Sequence, residues 1–198
     1  RDWFYFCILY LIFLFTALEE NYNFYYDSLS KGNHLRTLLV VFYLRRVKMK
    51  YRKFEKLDWE VSALGFGCMR LPTLKGDSGN IDEQEATTML HYAIDRGLNY
   101  VDTAYPYHKE KSELFVGRAL KGGYREKVKL ATKMPCWNIE TAKDFDTLLN
   151  EQLKKLQDEH IDFYLLHAMN KERWPKVRDL GVREWAEGAI ADGRIGHI

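Results

Sequence analysis

Cysteine is scarce in this sequence: 3 in 198 residues, at Cys7, Cys68 and Cys136. They are odd in number and far apart, and no Cys-x-x-Cys pair or Cys/His spacing suited to zinc occurs. That argues against a disulfide scaffold and against any metal site. The thiols are read as reduced, which places the chain in a reducing, cytoplasmic compartment. An excess of one charge is also lacking. The formal net charge is +2, with Lys and Arg scattered singly, so the concentrated basic face that nucleic-acid binding needs is missing. Long apolar runs are few. The longest uncharged one, Trp3 to Leu18, has sixteen residues, at the short limit of the roughly 17–25 that span a membrane. As a signal peptide it is badly flanked, by Arg1-Asp2 before and Glu19-Glu20 after, where a basic start and small residues are expected.

What is present is unevenly spread. Residues 1–48 hold 13 of the 29 aromatic residues and account for the whole net charge, while residues 49–198 carry 24 charges of each sign. The polar and aromatic stretch from Asn21 to His34 follows neither a helical nor a strand period. We therefore expect residues 1–48 to lie outside the functional domain, as upstream sequence carried along by an assigned start that is too early. A membrane anchor and a removed signal are the rival readings. The functional domain is expected over residues 49–198.

From Met49 the pattern is regular. Strand-like runs fall at Ala63–Met69, Tyr100–Ala104, Val128–Thr132 and Ile161–Leu166. Helical periods lie between them. Ala86, Met89, Leu90, Ala93 and Ile94 share one face, with Asp82 and Glu85 suited to its start and Gly97 to its stop. Ser112 is the expected cap of a helix reaching Leu120. A third helix opening at Thr141 aligns Phe145, Leu148, Leu149, Leu153 and Leu156. A fourth turns Val182, Trp185, Ala186, Ala189 and Ile190 inward and stops near Gly193. Strands alternating with helices predict βαβ units and a parallel sheet, α/β in class. Arg194–Ile198 resembles the opening of a fifth strand, and Tyr51–Val61 a hairpin beneath the sheet. Four such units make half of a (β/α)8 barrel, which closes only with eight.

In that architecture chemistry sits at the C-terminal ends of the strands. Those ends carry Asp102, Lys133 and His167, with Tyr105 and Tyr107 in the loop after Asp102. Taken singly, each has a plainer role as cap, packing, solvated charge or structural histidine. Together, on consecutive strand ends, they form a set with joint chemistry. Hydride reduction of a carbonyl leaves an alkoxide that must receive a proton. A phenol with pKa near ~10 donates poorly at neutral pH unless a cation stabilises its phenolate. A lysine supplies that cation, a carboxylate aims the lysine, and a histidine orients the carbonyl oxygen.

These residues resemble the aldo-keto reductases. Asp102-Thr103-Ala104 with Tyr107, followed by Ser112-Glu113, is similar to that family's D-T-A-x-x-Y…S-E signature. The five-residue step from the aspartate selects Tyr107 over Tyr105. Leu130–Lys133 resembles the family's lysine strand, Ile161–His167 its histidine strand, and Leu64–Met69 its glycine-bearing first strand. One departure is His108, where relatives usually carry glycine after the tyrosine. The wording is closest to a bacterial and archaeal subgroup, some of whose members have a ferredoxin-like, iron–sulfur C-terminal region. This chain stops before any such cysteines.

The resemblance implies an NAD(P)H-dependent reductase of aldehyde or ketone carbonyls, a small-molecule enzyme using NADP(H), with NAD(H) as the alternative. Tyr107 is then the general acid, supported by Lys133 and Asp102, with His167 orienting the carbonyl. Gly67, Cys68, Met69 and Asp102 are expected to face the cofactor, most of whose contacts come from the second half of the family's barrel. We therefore expect the chain as written to be a truncated, inactive half. Two alternatives stand beside this: a regulatory or binding subunit on the same fold, like the potassium-channel β subunits, and a nonfunctional gene fragment.

Overall fold

Apolar runs too short for helices, each bounded by turn residues, leave the chain few options but strands, and helix-period segments separate them. The computed structural model describes residues 48–54 and 57–198. The stretch Trp3–Leu18, and the readings attached to it, lie outside the described residues. In chain order the elements are β1 (Tyr51–Lys53), β2 (Glu60–Ser62), β3 (Phe66–Gly67), α1 (Glu83–Asp95), β4 (Tyr100–Asp102) and α2 (Ser112–Ala119). There follow β5 (Lys129–Pro135), α3 (Lys143–Leu156), β6 (Ile161–His167), α4 (Arg173–Asp179), α5 (Val182–Ala191) and β7 (Ile195–His197).

β1 and β2 pair antiparallel, as the hairpin expected over Tyr51–Val61. It lies against the N-terminal ends of the other strands. Phe54 packs on Phe163 with ring centroids 5.6 Å apart, and Trp59 on Tyr100 at 6.4 Å. Asn99, just before β4, ties the hairpin down by accepting from the Ser62 N–H at 2.8 Å and donating to the Glu60 carbonyl at 2.9 Å. The remaining strands form one parallel sheet in the order β3-β4-β5-β6-β7. Parallel neighbours require crossovers, and α1, α2, α3 and the pair α4–α5 supply them. This is the partial barrel expected from the alternation, including the opening of a fifth strand.

Helix boundaries follow local chemistry. The Asp82 carboxylate accepts from the Glu85 N–H at 3.1 Å, and Gly97, at φ +93°, ends the helix by donating its N–H to the Ile94 carbonyl. Ala86, Leu90 and Ile94 are buried, with Met89 and Ala93 at the margin. In α3 the whole expected face, Phe145, Leu148, Leu149, Leu153 and Leu156, is buried. These side chains join Val101, Leu130 and Tyr164 of the sheet in one core. Gly117 lets α2 approach the end of α3, because a Cβ there would collide with the Leu156 carbonyl.

Several expectations change, among them the third strand, which runs past Thr132 to Pro135 so that Lys133 lies within it. The first strand shrinks to Phe66–Gly67, since β4 offers partners only at Val101 and Asp102, and Cys68–Arg70 coils into a single 3-10 turn. Ser112 does not cap α2; it is the first helical residue and its hydroxyl bonds elsewhere. The third helix opens two residues after Thr141, and the Asp144 carboxylate accepts from the Thr141 and Glu140 N–H groups. An additional helix, α4, precedes the expected fourth. Within α5, Ile190 is exposed while Val182, Ala186 and Ala189 are buried. Among the described residues no helix is long and apolar enough to cross a membrane, and no group of three or more His, Cys, Asp or Glu side chains could hold a metal ion.

Candidate active site

The sheet register brings the strand ends together. Asp102 pairs with Gly67 on one side and Ala131 on the other, two residues before Lys133. The Lys133 ammonium donates to the Asp102 carboxylate at 2.6 Å, to the Thr103 carbonyl at 2.8 Å and to the Tyr107 hydroxyl oxygen at 3.1 Å. An ammonium has three protons, so all are engaged. Because the phenol oxygen accepts from Lys133, its own proton is left to point elsewhere.

Tyr105 faces away. Its hydroxyl donates to Glu151 of α3 at 3.1 Å, and the Lys155 ammonium lies 3.8 Å over its ring. The turn that follows Tyr107 is unusual in its backbone. His108, Lys109 and Glu110 all have positive φ, at 52°, 52° and 67°. Left-handed geometry presses Cβ against the following carbonyl at about 1–2 kcal/mol per residue, a cost that glycine, lacking Cβ, escapes. Glycine would adopt this backbone freely at position 108, and this chain holds it with a histidine. The turn closes through Lys111 N–H to the His108 carbonyl and Ser112 N–H to the Tyr107 carbonyl.

His167 ends β6 opposite Pro135. Its ring meets Tyr107 edge-on at 6.0 Å and Trp137 at 5.1 Å. Burial holds its pKa below the ordinary histidine value, and the nearby Lys133 charge adds to this, against a smaller opposing effect of Asp102. The ring is accordingly neutral at pH 7, with one N–H to donate. Its Nδ1 is buried without a hydrogen-bond partner among the described residues.

The turn after β3 divides. A Cβ added to Gly67 would meet nothing within 4 Å, and Met69 is half exposed, so open space lies over this turn beside Asp102. Cys68 is different: its side chain is fully buried, burial pushes its thiol pKa far up, and its carbonyl accepts from Ser112 at 3.1 Å. Of the three turn residues expected to face a cofactor, Cys68 therefore has only its N–H to offer. Since the single Ser112 proton goes to Cys68, Thr103 must donate its own to Ser112, at 2.9 Å. Gly67 and Met69 leave open space beside Asp102, with room for a planar ring, while the unpartnered His167 Nδ1 is buried and does not open onto it.

Sequence reasoning missed Gln152. The last ladder bond from β4 runs from Thr103 N–H to the Ala131 carbonyl, after which the chain turns away. The next carbonyl on that side, Lys133, accepts instead from the Gln152 side chain at 3.1 Å. Gln152 is fully buried. It also donates to Glu113 at 2.5 Å and accepts from Tyr164 at 2.6 Å. Burial raises the Glu113 pKa, and its bonds from Thr132 and Gln152 oppose that rise. The available signal was a lone amide on the apolar stripe of α3.

Comparison with known proteins identifies the family. The sequence model described as the aldo/keto reductase family matches residues 63–197. A Glycine max protein named probable aldo-keto reductase 1 is 38% identical over 120 residues, covering 57% of this chain and 34% of that protein. The Escherichia coli protein tas is 31% identical over 147 residues, covering 65% and 39%. Among solved structures, the holo form of an aldo-keto reductase from Bacillus halodurans is similar with a TM-score of 0.61 at 32% identity, over 74% of this chain and 48% of that one. One from Klebsiella pneumoniae, in complex with NADP and acetate, gives 0.59 at 28%, over 75% and 48%. The chain thus spans half or less of the length of these relatives.

Proposed function

Since the chain belongs to the aldo/keto reductase family, we propose that the rim built by Asp102, Tyr107, Lys133 and His167 is the proton-delivering side of a carbonyl reductase site. The substrate is an aldehyde or ketone, and NADP(H), carried over from the K. pneumoniae relative, supplies the hydride when bound. The observation that carries the reading is the Lys133 ammonium, which spends one of its three hydrogen bonds on the Tyr107 oxygen.

That bond does two things. It fixes the phenol as a donor toward the mouth, and it stabilises the phenolate left after the proton has moved to the alkoxide. Asp102 and the Thr103 carbonyl hold the ammonium in place, so little reorganisation is needed as charge develops. His167, neutral, has an N–H for the carbonyl oxygen. Gly67 and Met69 leave room for the nicotinamide, with Asp102 beside them and Cys68 able to contribute backbone alone. The reading includes a functional domain that opens at Met49 and a cytoplasmic location, the latter supported by the scarcity of cysteine.

Five parallel strands do not close an eight-stranded barrel. Hydride transfer needs reacting atoms about 3–3.5 Å apart, and a 1 Å misplacement costs roughly 100-fold. We therefore expect no measurable NADPH oxidation with simple aldehydes from the 198-residue chain. Turnover is expected when the chain is continued with the second-half βα units of the K. pneumoniae relative. In that protein Tyr107→Phe should lower kcat by roughly 100-fold or more. Unimpaired turnover in the Tyr107→Phe form would overturn the assignment of the acid.

A further inference from the structure

The residue that departs from the family's usual glycine is one of the few buried polar side chains near the mouth. His108 is 7% exposed. Its Nε2 accepts from the Leu71 N–H at 3.0 Å, and its Nδ1 lies 2.7 Å from the Ser78 carbonyl. A carbonyl can only accept and an amide N–H can only donate, so the two partners fix the ring as the neutral Nδ1–H tautomer. Both partners lie in the segment that continues from the Gly67–Met69 turn. A second contact reinforces the first: the Lys109 ammonium pairs with Asp77 at 2.8 Å, and its side chain packs against Gly79.

A glycine in this place would adopt the same φ freely and leave both Leu71 N–H and Ser78 carbonyl without the ring. This chain instead accepts a left-handed histidine immediately after Tyr107. Strain of this kind persists where surrounding contacts over-determine it. The side-chain contacts of His108 and Lys109 run to one destination, the segment Leu71–Gly79.

We propose that His108 is a positioning residue that locks the Tyr107 turn to the segment following β3, so that the acid and the cofactor-facing turn are held as one unit. It touches neither substrate nor cofactor, and it acts through Tyr107. The functional half of this proposal rests on the reading of Tyr107 as the acid. The mechanical half stands by itself and is measured without cofactor or turnover, so the two can fail separately.

The test uses the 198-residue chain with His108→Gly, a substitution the backbone tolerates and one that leaves an imidazole-sized space. Amide hydrogen exchange is followed by mass spectrometry over residues 68–80, and the Tyr107 ring resonances, assigned with Tyr107→Phe, by NMR. Loss of the ring should speed exchange in that segment roughly tenfold, leave α3 and β5 unchanged, and shift the Tyr107 resonances. Added imidazole should reverse both changes. Faster exchange with unmoved Tyr107 resonances would reduce His108 to loop packing and overturn the positioning role. Uniform loosening that imidazole does not reverse would overturn it as well. Should His108→Gly fail to fold, the same two readings in His108→Asn, which tolerates left-handed geometry, decide the matter.

Discussion

Strand β5 carries two lysine–aspartate pairs, one at its start and one at Lys133, two residues short of its other end, and they are built in opposite senses. At the start of the strand Lys129 pairs with Asp162 at 2.7 Å, and here the acid is sunk, at 6% side-chain exposure, while the lysine is 43% exposed. At the other end Lys133 pairs with Asp102 at 2.6 Å, and the lysine is the buried member, at 15% against 29%. The lower carboxylate is saturated. It takes Lys129 on one oxygen, and on the other Arg125 at 2.9 Å and the Leu130 N–H at 3.0 Å. Burial alone would raise the Asp162 pKa, but the Lys129 bond, the Leu130 N–H and the Arg125 charge together hold it below the ordinary carboxylate value. In the upper pair the buried cation has three bonds, and one goes to a group that can itself give up a proton. A sunk acid ringed by donors acts as a clasp; a sunk cation sharing a phenol suits the proton delivery proposed above.

The comparison breaks most easily at the lower pair. Asp162→Asn should cost about 1–3 kcal/mol in urea denaturation at pH 7, because Arg125 and Lys129 lose their buried partner. The sign with pH follows from the depressed pKa. The stabilisation is complete above the ordinary aspartate value and is lost as pH falls through the lower folded one. The variant should therefore lose that part of the acid limb, and an unchanged limb would show that Asp162 is no clasp.

At the upper pair Lys133→Met should change stability by less than about 1 kcal/mol, since Asp102 keeps access to water. Its effect belongs elsewhere. Removing the ammonium should raise the His167 titration midpoint toward the ordinary histidine value, while Asp102→Asn should lower it further. Histidine NMR titration reads both directly, and a midpoint indifferent to Lys133 would mean that the two groups do not share one field. The smallest effect is expected from Lys129→Met. With its ammonium largely in water, the loss should be about 0.5 kcal/mol or less, and a loss as large as that of Asp162→Asn would erase the distinction between the partners.

Much of this was legible before the fold was seen. Asp102, Lys133 and His167 stand at strand ends, and the period of the helices between them dictates a parallel order that gathers such ends. The choice between Tyr105 and Tyr107 was less accessible from chemistry alone. The turn that follows Tyr107, left-handed at His108–Glu110, contains no glycine and so carries no turn signal. Asp162 was read as a member of a strand because a single acid in an apolar run looks like ordinary alternation. Its partners, Arg125 and Lys129, approach only when β5 and β6 pair. The first strand was read too long because its apolar character continues to Met69, while its pairing stops where β4 stops.

Gln152 has a consequence for how this protein can change. A strand residue usually owes its backbone placement to the neighbouring strand, so any remodelling of that neighbour's loop is felt along the ladder. The Lys133 carbonyl is held from the helix side instead. The main chain that carries the lysine is thus held from α3 and not from the connection after β4, while the lysine's ammonium still bonds Tyr107 in that connection. The helix is correspondingly the place where a distant substitution would reach the Lys133 backbone.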